Sequence, residues 1–375
     1  MDKSSVQLKT RRGRLSRLRL LFSASGVDAI LVTHLPNINY LCGFTGSAGI
    51  LLVESDRAVL FTDSRYTFQC REEVSGAEVR IVSGGLIRGV GEALRGGRRK
   101  LHVAYSANNV TVGQKRALTA AAGTRVGWVA GLNEVERLRA VKDAGELAVM
   151  RDAAKLISDV WTQVARKIRP GITELRVAAD LEYGMKAGGA SGPSFETIVA
   201  SGPRSAWAHA RATAKLLRKN ELVVMDQGAI LRGYCSDMTR TVFLGRPSHR
   251  VRRLYRAVLD AQQAAKAAIE PGVTAGEVDA AARQTLKQHK LDQYFTHSTG
   301  HGLGLEVHEV PRLARGEKFV LEEGMVVTIE PGVYIEGLGG IRIEDDVVVT
   351  AAGYENLSAI LPSKREAVER WIAEL

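Results

Sequence analysis

Two aspartates, Asp226 and Asp237, lie in a stretch that is otherwise apolar and β-prone, ELVVMDQGAILRGYCSDMTRTVFL (221–244). The run 222–225 reads as one strand and the run 239–244 as its partner, with Gly233 as the turn signal between them. A hairpin centred between residues 231 and 232 would set the two carboxylates directly opposite each other. Opposed side chains have Cβ atoms roughly 4.5–5.5 Å apart. Carboxylates that close repel, and among apolar neighbours they are also desolvated. A cation between them resolves both costs. The plainer alternative is one turn aspartate and one solvated aspartate.

A repeat supplies a second pair of acids. RPGITELRVAADL opens at Pro170 and EPGVTAGEVDAAA at Pro271, an offset of 101 residues. Each copy has an amphipathic helical run before it (151–168 and 250–269) and opens a second helix at a threonine N-cap, Thr173 or Thr274. In the second copy Thr274 and Glu277 form a capping-box pattern. Further on, ELVVMDQGA matches EGMVVTIEPG, pairing Asp226 with Glu330, and GYCSDMTRTVFL matches GGIRIEDDVVVT, pairing Asp237 with Glu344. Strand alternation puts Arg342, Glu344 and Asp346 on one face, and Thr328 and Glu330 on one face. Duplicated helix–helix–strand–strand units predict a pseudo-two-fold domain in which helices cover a curved, mostly antiparallel sheet and four carboxylates converge near the axis.

Four buried carboxylates carry a charge of −4, which two divalent cations would neutralise. Paired ions in hydrolytic sites sit roughly 3.5–4 Å apart and lower the pKa of a water between them toward neutrality. Imidazoles are available in two short segments, SAWAHARAT with His209 and THSTGHGLGLEVHEVPR with His297, His301 and His308. Gly300, Gly302 and Gly304 around His301 allow a close backbone approach to an ion or ligand. Oxygen-rich ligation with one imidazole suits Mn2+, with Co2+, Zn2+ or Fe2+ also compatible.

At 375 residues the chain is long enough for two domains. Before residue 135 strands alternate with helices, which predicts an α/β domain. GFTGSAG (43–49) is no phosphate loop, since it lacks the Lys-Ser/Thr ending. From 133 to 168 nearly every residue favours helix, marking the junction. Hydrophobic residues make up 45% and charged residues 25%, as in ordinary globular proteins. Much of the net charge of +11 is local, with Lys3, Lys9, Arg11, Arg12, Arg14, Arg17 and Arg19 facing only Asp2 in the first 19 residues. This reads as a solvated basic arm running into an amphipathic helix. No recognition motif accompanies it, so nucleic acid is not an expected partner. Nothing resembles a signal peptide or a membrane span. Cys42, Cys70 and Cys235 have neither zinc spacing nor a disulfide framework, and a reducing cytoplasm is the expected compartment.

Taken together, SFETIVASG, VMDQGAILRGYCSDMTRT, HSTGHGLGLEVHE, TIEPGVY and GGIRIEDDV resemble the pita-bread metallopeptidases. That superfamily includes methionine aminopeptidase, aminopeptidase P, prolidase and creatinase. The match runs over 138–353. LPNINYLCGFTGSAG and FTDSRY resemble the creatinase-type N-terminal domain. The expected fold is therefore α+β, with a creatinase-like domain over 8–135 and a pita-bread catalytic domain over 138–375. The resemblance implies five metal ligands, Asp226, Asp237, His301, Glu330 and Glu344, with Asp237 and Glu344 shared by two ions. It implies that His209 and His308 steady the substrate carbonyl and the tetrahedral intermediate. His297 would contact substrate, and Arg342 would sit behind the shared glutamate. Ala208 departs from the pattern, since relatives often carry proline there.

An N-terminal domain of this size points to the Xaa-Pro peptidases. FTDSRY and the short GFTGSAG loop look more like the bacterial aminopeptidase branch, so the expected activity is that of an Xaa-Pro aminopeptidase. An Xaa-Pro dipeptidase (prolidase) is the alternative. Arg312, four residues after His308, would read the carboxylate of a dipeptide, or else pair with Glu306 or Glu309 at the surface. The expected partners are a proline-containing peptide and a second copy of the chain in a homodimer. Two further readings are a metal-free creatinase-like amidinohydrolase and a non-catalytic binding protein on the same fold; neither needs the complete ligand set.

Overall fold

Apolar runs bounded by glycines and polar turns become a six-stranded mixed sheet in the first part of the chain. The computed structural model describes residues 3–96, 99–131 and 133–358. The chain divides into two units, Met1–Arg139 and Ala140–Leu375. In the first, β1 (Ala29–Val32), β2 (Ile50–Glu54), β3 (Ala58–Thr62), β4 (Glu78–Ile81), β5 (Leu101–Ser106) and β6 (Val126–Gly131) pair in the order β4-β3-β2-β1-β5-β6. Around them run α1 (Lys3–Ser25), α2 (Leu35–Cys42), α3 (Thr67–Glu73), α4 (Leu86–Arg95) and α5 (Val112–Ala122). Leu31, Leu52, Val59, Phe61, Val90 and Leu118 fill the core.

Three elements here escape sequence reading. LPNINYLC folds as α2, because Pro36 falls in the first turn, where the missing N–H costs nothing, and Gly43 closes the end at φ 87°. The short α3 and the mostly half-buried edge strand β6 carry no clear periodicity.

The solvated basic arm is corrected at three of its arginines, while Arg12 and Arg17 are exposed as expected and the side chains of Lys3 and Lys9 lie outside the described ones. Arg14 is buried, donates to the Tyr40 carbonyl at 3.0 Å and lies 4.0 Å from the centre of the Tyr40 ring. Arg11 donates to the Glu73 carbonyl at 2.7 Å and Arg19 to the Glu54 carbonyl at 2.8 Å. These cations hold the unit together by capping carbonyls. The three cysteines are free and buried. Among the described residues no helix is long and apolar enough to cross a membrane.

The helix-rich junction is two helices, α6 (Glu134–Ala140) and α7 (Ala144–Ala165), the second started by a capping box between Asp143 and Glu146. The repeat then unfolds as read. Its first half holds α8 (Glu174–Ala187), β7 (Gly192–Pro193), β8 (Ile198–Ser201), β9 (Leu222–Gln227), β10 (Ala229–Leu231), β11 (Tyr234–Cys235) and β12 (Met238–Phe243). Its second half holds α9 (His249–Ala267), α10 (Ala275–Gln288), β13 (Gly300–Gly302), β14 (Glu309–Leu313), β15 (Val326–Ile329), β16 (Gly332–Ile335), β17 (Gly339–Arg342), β18 (Asp345–Thr350) and β19 (Gly353–Asn356). Thr173 and Thr274 cap α8 and α10 as expected. Among the described residues every ladder in this unit is antiparallel.

Each half packs its helices on one face of its strands. Ile157, Trp161, Val177 and Leu181 meet Val223, Met225, Met238 and Val242 in the first half. Val258, Ala261, Val278 and Leu286 share a core with Val327, Ile329, Ile341, Ile343, Val347 and Val349 in the second. The alternate residues must face away from the helices. Those residues are Asp226, Asp237 and Thr239 in one half, and Thr328, Glu330, Arg342, Glu344 and Asp346 in the other. The halves are joined where the Glu344 N–H donates to the Thr239 carbonyl at 3.1 Å and the Asp237 N–H to Asp346 Oδ2 at 3.0 Å.

Candidate metal centre

The acids on the helix-free face converge. Asp237, His301 and Glu344 each present a ligand atom within 4.8 Å of the other two. Glu330 Oε1 lies 3.5 Å from His301 Nε2, and Asp237 Oδ2 lies 3.8 Å from the same nitrogen. Asp226 is tied to the group through Arg342, whose Nη2 donates to Asp226 Oδ2 at 2.6 Å and whose Nε donates to Thr239 Oγ1 at 3.0 Å. Thr239 in turn donates to Glu344 Oε2 at 2.6 Å.

The register differs from the symmetric hairpin expected. Asp226 stands opposite Thr239, and Ile230 opposite Cys235, so the turn is Arg232-Gly233. Both of these residues have positive φ, 49° and 88°, as a two-residue type I′ turn requires. Asp237 is thus a diagonal neighbour of Asp226 on the same face.

His301 is set up to give a lone pair. Its Nδ1 is 3.1 Å from the Gly302 carbonyl, which can only accept, so Nδ1 carries the proton and Nε2 faces the acids bare. Burial, reinforced by His308, lowers its pKa to about 4 and keeps it neutral. The flanking glycines serve packing, contrary to the ligand approach expected. A Cβ on Gly300 would lie 1.9 Å from the Thr328 carbonyl oxygen, and one on Gly302 would lie 2.2 Å from that of Val310.

The donor set fits divalent cations. Among the described residues, Asp226 Oδ1 and Asp237 Oδ1 are buried without a hydrogen-bond partner. Burial first, then the neighbouring acids, push Asp237 and Glu344 far above the usual carboxylate range. Burial raises Glu330 to about 7 against the pull of Arg342. Acids so placed hold protons they would release to a cation.

Residues 148–351 match Metallopeptidase family M24, and residues 14–141 match the Creatinase/Prolidase N-terminal domain. The chain belongs to metallopeptidase family M24. An Xaa-Pro dipeptidase of Pyrococcus furiosus is 34% identical over 92% of this chain and 97% of its own. Among solved structures, an Xaa-Pro dipeptidase from Bacillus anthracis superposes with a TM-score of 0.88 at 38% identity, covering 93% of this chain and 98% of that one. An X-Pro aminopeptidase from Thermotoga maritima MSB8 superposes at 0.83, also at 38% identity, covering 90% and 97%. This M24 enzyme is therefore a metallopeptidase of the pita-bread fold with a creatinase-type N-terminal domain, and its family implies bound divalent metal ions.

The other histidines singled out from the sequence differ in exposure. His209 and His308 are exposed, and the His308 ring packs 4.4 Å from that of His301. His297 is more enclosed. Its Nδ1 donates to the Ser298 carbonyl at 2.8 Å, and its Nε2 accepts from Tyr334 Oη at 2.9 Å. Arg342 donates to the same Oη at 2.7 Å. Both nitrogens of His297 are thus engaged inside the protein. Burial, with Arg342 adding to it, lowers its pKa to about 4. Arg312 is exposed, and its Cα stands opposite His301 across β13 and β14. It makes no ion pair with Glu306 or Glu309 among the described residues; Lys142 lies 3.4 Å from Glu309 instead.

Sequence reading missed a charged cluster behind the site. Asp345 points to the helix side, where Arg240 Nη2 donates to it at 2.6 Å, Lys266 at 2.8 Å and Gln262 at 3.0 Å. Burial opposes its ionisation, but Arg240 and Lys266 hold its carboxyl well below the usual range. Arg240 also donates to the carbonyls of Thr239 and Glu344, fixing the backbone of both site strands. The only signal was the charge on otherwise apolar faces. Lys266→Met leaves a buried carboxylate short of a cation and should destabilise the protein by roughly 3–5 kcal/mol in denaturant titrations. Unchanged stability would remove the cluster from the account.

Proposed function

We propose that this metallopeptidase releases the N-terminal residue from peptides with proline in second place, using two divalent ions, with Mn2+ as the first choice. The observation that carries the reading is the grouping of Asp237, His301 and Glu344, one from each of three separate strand regions, beside Asp226 and Glu330. Asp226, Asp237, His301, Glu330 and Glu344 would hold the metals, with Asp237 and Glu344 shared. The chemistry such ions would supply there is Lewis acidity, toward the scissile carbonyl and toward a water.

The chain's own groups do the rest. Glu330 takes a proton at its carboxylate and passes it toward the leaving nitrogen. That nitrogen belongs to a tertiary amide without N–H, so it must be protonated to leave, and recognition rests on ring shape. His209 and His308 donate N–H to the carbonyl oxygen as charge develops on it. Arg342 holds Asp226 in place, and His297 and Tyr334 brace Arg342.

A second reading, an Xaa-Pro dipeptidase, is favoured by Arg312. Directly paired residues of an antiparallel ladder share a face, and Arg312 is paired with His301. A guanidinium there suits a bidentate bond to the free carboxylate of a dipeptide. The two readings separate on a series of Xaa-Pro dipeptide, tripeptide and longer peptides. Cleavage at all lengths supports the aminopeptidase, and cleavage of dipeptides alone overturns it. Arg312→Ala should raise KM for dipeptides roughly 10-fold or more and spare longer substrates, the loss expected for one charge-assisted pair.

A further inference from the structure

Beyond the metal centre, the second unit buries another carboxylate with no part in it. Glu174, the first residue of α8, is 0% exposed. Its Oε1 accepts from the Ser201 N–H at 2.9 Å and the Ser201 hydroxyl at 2.8 Å. Its Oε2 accepts from the Thr213 N–H at 3.1 Å, the Thr213 hydroxyl at 2.8 Å and Arg204 Nε at 3.3 Å. A carboxylate removed from water is costly unless its lone pairs are filled, and here five donors fill them.

The donors are not scattered. Ser201 ends β8, Thr213 lies four residues past His209, and Arg204 belongs to the turn between them. One side chain therefore ties both ends of the segment that presents His209. Arg204 continues the clamp by donating to the Arg211 carbonyl at 2.6 Å. Between the tied ends, the Ala208 carbonyl accepts from Arg342 at 3.1 Å and the Ser205 hydroxyl accepts from the Gly340 N–H at 2.9 Å.

The other half of the repeat has a counterpart. Asp279, on α10 and 1% exposed, accepts from the Thr299 N–H at 3.2 Å and the Thr299 hydroxyl at 2.8 Å. It also binds Arg283, which donates to the His297 carbonyl at 2.6 Å. In each half, then, an acid on the second helix holds a histidine-bearing segment.

We propose that Glu174 is a positioning residue for His209, setting the height of that imidazole over the metal centre through the two ends of its segment. The proposal rests on the reading of His209 as a donor to the substrate carbonyl. Glu174 touches none of the acids of the centre, so its effect should fall on turnover and leave metal content alone. Glu174→Gln keeps one acceptor oxygen but turns an NH2 toward donors at Thr213 and Arg204 or at Ser201. The segment keeps its anchors at Ala208 and Ser205, so the histidine is misplaced rather than lost. A misplacement of about 1 Å costs up to roughly 10²-fold.

The test is steady-state kinetics and metal content of the metal-loaded enzyme for the parent, Glu174→Gln, His209→Ala and the double variant. The expected result is kcat lower by roughly 10- to 100-fold in Glu174→Gln, with KM and metal content unchanged and the double variant no slower than His209→Ala. Losses that multiply overturn the proposal alone, as do an unchanged kcat or lost metal in Glu174→Gln. A parental kcat in His209→Ala overturns the reading of His209 and the proposal with it. Should Glu174→Gln fail to fold, Thr213→Val removes a single hydroxyl donor and must show the same non-multiplying loss, smaller in size.

Discussion

Replacing Glu344 by glutamine abolishes turnover and metal binding, yet leaves the metal-free protein at least as heat-resistant as the parent. The two halves of this expectation have one cause. Glu344 is 2% exposed, and in the absence of metal its burial, then the nearby Glu330 and Asp226, force it to hold a proton, which costs folding stability near neutral pH. Glutamine keeps the shape, can still accept from Thr239 and needs no proton to stay neutral, so it relieves that cost without opening a cavity. A divalent ion reverses the sign, because each acid then stabilises it. For the parent, metal at about a thousand times its dissociation constant adds about 4.1 kcal/mol, which raises Tm by several degrees. The variant should show no such rise. Thermal melts with and without Mn2+, read beside Xaa-Pro hydrolysis, check both halves. A variant stabilised by metal as strongly as the parent would take Glu344 out of the ligand set. Asp237→Asn is expected to behave alike, since burial, then Glu344, Asp226, Asp346 and Glu330, raise its carboxyl.

The second large effect is at His209. This imidazole is exposed and lies outside the acid cluster, so His209→Ala should keep metal content and KM close to those of the parent. Turnover should fall by roughly 10²–10³-fold, the cost of removing one preorganised donor to a developing oxyanion. Loss of metal would move His209 into the ligand set, and unchanged turnover would make it a surface residue.

The acids of the centre were legible because they break an apolar strand pattern at matching points of a repeat. Asp226 and Glu330 stand one residue past the apolar runs Leu222–Met225 and Val326–Ile329, a coincidence that two halves make hard to explain otherwise. Alternation also placed Arg342, Glu344 and Asp346 on one face, as the second-half core shows by taking up Ile341, Ile343 and Val347. Register was less legible. The turn lies at Arg232-Gly233 and asks an arginine to adopt a positive φ, which composition does not announce. Strands of two or three residues such as β7, β10 and β11 are too short for any period to show. Partnerships across a hundred residues were invisible as well, among them Arg240 with Asp345 and Arg342 with Asp226. The basic N-terminal helix misled for a related reason, because arginines that cap carbonyls look the same in sequence as arginines in water.

The central claim is that two divalent ions held by these five residues carry out Xaa-Pro hydrolysis. Its most direct test is to strip the purified enzyme with a chelator and titrate Mn2+ back while following cleavage of an Xaa-Pro tripeptide. The account predicts no cleavage without metal and activity that saturates at about two ions per chain, the number that balances four carboxylates. Full activity in the stripped protein, or a metal-saturated protein that leaves the Xaa-Pro bond intact, would contradict it.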